Sequence, residues 1–210
     1  MNGRIIDISP VINPDLAVWP GDVPFSRDVN LSIADGANID LSAIHGTVHL
    51  GAHTDAPSHY SGGGEGIAAR ELSFYIGPAQ VISVDVAPGG RIRPEHCDVA
   101  IKAPRVLFRT GSYPDPTHFN VDFCSLSPEL IEKLAGEGVR MVGIDTPSID
   151  PADSKDLPSH AMVAAYDLAI LEGIVLDHVD DGVYTLVALP LRIEGADASP
   201  VRAVLIEEAS

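Results

Sequence analysis

His49-Leu50-Gly51-Ala52-His53-Thr54-Asp55-Ala56-Pro57-Ser58-His59 gathers three of the chain's eight histidines and one aspartate into a single short stretch. His49, Gly51, His53 and Asp55 alternate, and an extended strand sends alternate side chains to one face. A helix would also bring His49 and His53 together, four apart. It would leave Asp55 off that face, and Gly51 and Pro57 oppose a helix. The β-branched Thr47 and Val48 upstream favour a strand. The stretch therefore predicts a strand ending near Asp55, a turn at Pro57, and His59 reaching back from the following loop. Two imidazoles and a carboxylate on one face form a ligand set for zinc, and suit manganese or iron equally. A solvated strand gains nothing from such one-sided patterning.

Working outward, Arg4 to Ser9 reads as a first strand, broken by Pro10, Asn13 and Pro14. Val18-Trp19-Pro20-Gly21-Asp22 carries the only tryptophan, and Pro20 holds Trp19 extended. Such a Trp is either a core plug or a flat wall for an aromatic ligand. Downstream, Gln80 to Val86, Val106 to Phe108, Val139 to Ile144, Tyr184 to Leu189 and Val201 to Ile206 read as strands, and Asp197 to Pro200 as a turn. Ser127-Pro128-Glu129 is a helix start, with Leu130, Ile131 and Leu134 as its buried face. Helix and strand then alternate in an α/β manner. Asp145 to Ser148 leaves the C-terminal end of a strand, where α/β folds place sites. Ala161 to Tyr166 looks helical. Glu172 interrupts an apolar run, Ile170 to Leu176, where an acid is costly to bury unless it is paired or binds a metal. Glu172 is thus a ligand candidate, and His160 a plausible partner.

The 210 residues predict one domain, 1–210, with an ordinary balance of 45% apolar and 20% charged residues. The net charge of −17 argues against nucleic acid and anionic membranes as partners. No apolar run reaches membrane-span length and the N-terminus does not read as a signal peptide, so a cytoplasmic location is expected. Cys97 and Cys124 are expected as buried free thiols.

His49, His53, Asp55, His160 and Glu172 together could hold two divalent ions, which activate water and polarise a carbonyl. His59 lies just outside this set, and imidazole is suited to moving protons near neutral pH. The chemistry suits hydrolysis of an amide or ester, and no Gly-x-Ser-x-Gly elbow offers a serine nucleophile instead.

The His-x-Gly-x-His-x-Asp-x-Pro-x-His pattern of His49 to His59 resembles the signature of the cyclase-like metal hydrolases. The tryptophan loop, Gly143 to Ser148, Asp150 to Lys155, Ser159-His160, Ile170-Leu171-Glu172 and Asp197 to Leu205 extend the likeness to the bacterial kynurenine formamidases, or arylformamidases. This resemblance implies an α/β, swivelling β/β/α domain with a mixed, barrel-like sheet that forms a homodimer. It implies conversion of N-formyl-L-kynurenine to L-kynurenine and formate in tryptophan degradation, using two Zn2+ ions. His49, His53 and Asp55 would hold the first ion, His160 would join Asp55 at the second, and Asp55 and Glu172 would bridge. His59 carries over as proton donor and acceptor, and Trp19 as a substrate contact. Ala52 stands where many relatives have threonine, and is expected to point away from the ligands. The rival expectations are a manganese-dependent isatin lactam hydrolase and a metal-binding module without catalysis.

Overall fold

The computed structural model describes residues 3–207. In chain order its strands are β1 (Ile5–Asp7), β2 (Ser26–Leu31), β3 (Leu41–His45), β4 (His53–Asp55), β5 (Ile76–Ser83), β6 (Arg91–Ile92), β7 (Arg105–Arg109), β8 (Ser125–Leu126), β9 (Met141–Ile144), β10 (Ala169–Leu171), β11 (Gly182–Val187), β12 (Ala198–Pro200) and β13 (Val204–Ile206). The α-helices are α1 (Pro57–Tyr60), α2 (Pro128–Gly136) and α3 (Pro158–Ala165).

Seven strands form one mixed sheet in the order β1-β13-β11-β5-β7-β9-β10. From β1 to β5 neighbours run antiparallel, and from β5 to β10 they run parallel. Parallel strands need cover on both faces and so read as unbroken apolar runs. Val106 and Phe108 of β7 join Val142 and Ile144 of β9 in the cluster under α2 and α3. Leu107, Met141 and Leu171 face the opposite cluster with Ile8, Tyr75, Leu186 and Leu205. Helix α2 begins as its sequence dictates: Ser127 Oγ accepts from Leu130 N at 3.2 Å and Pro128 opens the first turn. Leu130, Ile131 and Leu134 then pack on the sheet.

The sheet curls until its two ends nearly meet. Just past β1, Ile8 donates to Ala203 O at 3.0 Å and accepts from Val175 N at 2.8 Å, a residue just beyond β10. This is the barrel-like α/β sheet expected. A small antiparallel pair, β4 with β12, lies beside β10. His53 N donates to Glu172 O at 3.0 Å and Glu172 N returns a bond to His53 O at 2.9 Å. That bridge joins two regions separated by more than half the chain.

Several expectations need correction. Only His53–Asp55 is strand, and His49 lies outside it. Gly51 takes φ +60, a left-handed value that breaks the extended run, and a Cβ there would press on Pro10 and Leu16. His59 sits on the short helix α1 rather than in a loop. Ala198–Pro200 is a strand, not a turn, because β4 pairs with it. Helix α3 starts at Pro158, ahead of the expected Ala161. Cys97 and Cys124 are buried and free, and Ala52 is buried in the apolar cluster, away from the polar site.

Candidate metal centre

The β4–β10 bridge sets His53, Asp55 and Glu172 side by side, and α3 brings His160 against them. Glu172 Oε2 lies 3.2 Å from His53 Nε2, and Asp55 Oδ1 lies 3.5 Å from the same nitrogen. His160 Nε2 stands 3.6 Å from Asp55 Oδ2 and 3.8 Å from Glu172 Oε1. His49 Nδ1 lies 3.1 Å from Asp55 Oδ1. Two overlapping groups result, His49/His53/Asp55 and Asp55/His160/Glu172, each with donor atoms within 4.8 Å of one another. His53, Asp55, His160 and Glu172 are all buried, and His49 is partly so.

Neighbours fix which ring nitrogens face inward. His53 Nδ1 lies 2.9 Å from Gly51 O, a carbonyl that only accepts. That nitrogen therefore carries the proton, and Nε2 turns a lone pair toward Asp55 and Glu172. His160 Nδ1 lies 2.8 Å from Asp150 Oδ2, so in the neutral ring Nε2 is the unprotonated nitrogen, facing the carboxylates. With the rings neutral, lone pairs would confront lone pairs among buried groups. Both Asp55 oxygens are buried and lack a hydrogen-bond partner among the described residues. Such groups are costly to bury unless a cation lies between them. The donor set therefore fits divalent metal ions.

The same crowding acts on protons. Burial works against charge on His160, yet Asp150, Asp55 and Glu172 outweigh it and raise its pKa to about 10. Burial opposes charge on His49 too, and Asp55 and Asp197 raise it to about 9. Burial would raise Asp55, but His160 and His49 hold it well below the usual carboxylate range. Positive charge is wanted here, and in the absence of metal it comes as protons.

Two aspartates missed in the sequence brace the centre. Asp150 is fully buried and also accepts from Ser159 N at 3.0 Å, His160 N at 3.0 Å and Arg91 at 3.1 Å. Asp197 contacts His49 and His59. His49, His59 and Asp197 form a third cluster with metal-ligand geometry. Gly173, at φ +66, closes the floor: a Cβ there would lie 2.3 Å from Gly51 O.

The centre opens into a cavity of about 620 Å³ that also holds His59, Trp19, Tyr113 and Phe119 on its walls. Trp19 is 37% exposed, so it is a wall and not a core plug. Phe119 and Phe123 meet its ring edge-on, with centroids 5.2 and 6.3 Å away. Ala17 N donates to Pro116 O at 2.9 Å, which ties the tryptophan loop to the loop carrying Phe119.

Comparison with known proteins agrees with this geometry. The family model Cyclase, described as "Putative cyclase", matches residues 6–151. A kynurenine formamidase of Bordetella pertussis (strain Tohama I) is 45% identical over 206 residues, 97% of this chain and 98% of that protein. One from Maricaulis maris (strain MCS10) is 43% identical over the same share of each. A solved structure titled a potential metal-dependent hydrolase with cyclase activity superposes with TM-score 0.84 at 26% identity, covering 99% of both chains. Isatin hydrolase A from Labrenzia aggregata superposes with TM-score 0.82 over 98% of this chain and 94% of its own, at 22% identity, a likeness of fold alone. The chain belongs to the cyclase family and, within it, groups with the kynurenine formamidases.

Proposed function

We propose that this protein is a metal-dependent hydrolase that converts N-formyl-L-kynurenine and water to L-kynurenine and formate. The observation that carries the reading is the convergence of His49, His53, Asp55, His160 and Glu172 in a chain 45% identical to a kynurenine formamidase. These five residues would hold two Zn2+ ions, with Asp55 and Glu172 shared between them. Manganese or iron would suit the same nitrogen and oxygen donors. The ions supply a Lewis acid for the formyl oxygen and lower the pKa of water.

The chain's own groups do the rest. His59 stands at the cavity wall, a third exposed, and moves the proton that the departing aryl amine must receive. Trp19, backed by Phe119, offers a flat face to the aryl ring. His53, Asp55, His160 and Glu172 are buried, which strengthens the electrostatics of the centre.

The reading of the chain as one domain is supported by the described residues, whose two apolar clusters share the same sheet. The homodimer reading is supported by the β2–β3 ribbon. Every residue of it is exposed, including Val29, Leu31, Leu41 and Ile44, and a lone two-stranded ribbon is marginal in water. A second copy of the chain would cover it. No helix among the described residues is long and apolar enough to cross a membrane, and the acidic charge disfavours nucleic acid. A cytoplasmic location belongs to the same proposal.

The test is turnover of N-formyl-L-kynurenine and isatin side by side, with zinc- and manganese-loaded protein. The formamide should be cleaved, activity should vanish with a chelator, and isatin should persist. Opening of isatin alone would overturn the assignment.

A further inference from the structure

Asp197 has no part in the reaction as laid out so far. Its Oδ2 lies 3.0 Å from His49 Nε2 and 3.2 Å from His59 Nδ1, and the two rings are 4.3 Å apart. The backbone anchors it. Ala56 N donates to Asp197 O at 2.8 Å, and the next residue, Ala198, pairs with Asp55 on β4. An ionised carboxylate only accepts hydrogen bonds, and a neutral imidazole carries one N–H. One oxygen between two rings therefore selects a tautomer in each. His49 is protonated at Nε2 and turns an unprotonated Nδ1 toward Asp55, as a ligand must. His59 is protonated at Nδ1 and leaves Nε2 free to take a proton and return it.

We propose that Asp197 is a positioning residue whose single oxygen fixes the tautomer and aim of both His49, at the metal, and His59, at the proton. This rests on the metal-hydrolase reading for the roles of those two histidines. The Asp197 side chain is 47% exposed, so its removal opens no buried cavity.

The experiment records imidazole 15N shifts in metal-loaded protein for wild type, Asp197→Ala and Asp197→Asn. It also measures kcat, KM and metal content with and without His59→Ala. In wild type, His59 should appear as the Nδ1–H form. Asp197→Ala should relax it to a mixture. Asp197→Asn, whose amide can donate, should drive it to Nε2–H. At saturating metal, kcat should fall about 10–100-fold in either variant. Added to His59→Ala at saturating metal, where His49 stays ligated, Asp197→Ala should cost less than about twofold more in kcat, as expected of residues acting through one another. The role at His49 should show instead as metal affinity about 10–100-fold weaker in Asp197→Ala, with or without His59. The proposal is overturned if His59 is Nε2–H in wild type, or if Asp197→Ala slows the His59→Ala protein by the same factor as wild type. A metal ion found between His49, His59 and Asp197 would overturn it as well. The spectra need no substrate, so failure of the formamidase reading shows separately, as wild type inert toward N-formyl-L-kynurenine.

Discussion

Asp150 and Asp197 both brace an imidazole of the centre, but they are built differently. Asp150 is fully buried and saturated by Ser159 N, His160 N, His160 Nδ1 and Arg91. Asp197 is half exposed and serves two imidazoles beside the cavity. The difference separates two tasks. His160, which must only stay in place, is locked by a network closed to water. His59, which must trade protons, shares with the ligand His49 a carboxylate that water can reach.

Substitutions should break this contrast unequally. Asp150→Ala leaves two backbone N–H groups and Arg91 without their buried partner. Stability should fall by about 3–5 kcal/mol, and metal should be lost at His160. Asp197→Ala should cost less, about 1 kcal/mol or under, since its carboxylate is half in water. Denaturant melts of the metal-free proteins decide, and equal losses at the two positions would erase the distinction.

Gly173→Ala comes next. It puts a Cβ on Gly51 O and forces an L residue to φ +66, a strain of about 1–3 kcal/mol. The β4 and β10 halves of the centre should part, so metal content should fall while the helical circular dichroism remains. Unchanged metal content would show that the Gly51–Gly173 contact does not hold the halves together.

The pH dependence sharpens the comparison further. His160 is raised to about 10 and His49 to about 9, both above the ordinary imidazole value of 6.5. In the metal-free protein their protons stabilise the fold in full below pH 6.5, and that contribution is lost as pH rises through about 9 and 10. Metal must displace the same protons, so its affinity should rise with pH over that window. Thermal melts and metal titrations from pH 6 to 10 test both signs. A metal-free Tm that climbs over this range would contradict them.

The smallest effect should come from Trp19→Ala. It removes one wall of an open cavity and should raise KM about fivefold, near 1 kcal/mol, with kcat little changed. A fall in kcat with unchanged KM would place Trp19 in the chemistry instead.

Much of this was legible in the chain. Helix α2 was fixed locally by Ser127 and Pro128, and β7 and β9 announced themselves as apolar runs. Glu172 stood out as an acid in an apolar segment. The His49–Asp55 pattern pointed to residues that the structure brings together, for an incomplete reason: a turn at Gly51, not an unbroken strand, aims His49. The braces were not legible. Asp150 meets His160 ten residues on, and Asp197 meets His49 and His59 well over a hundred residues back. No local spacing encodes such contacts. Likewise Asp197-Ala198-Ser199-Pro200 has turn composition, and only pairing with the distant β4 makes strand of it. The closure of β1 on β13, Ile5 opposite Ile206, is equally non-local.

The most direct measurement is anomalous diffraction at the zinc edge from crystals of the metal-loaded protein. Two peaks are expected, one among His49, His53 and Asp55 and one among Asp55, His160 and Glu172, with Asp55 reaching both. A single peak, or peaks elsewhere than on these five side chains, would contradict the paired-ion centre.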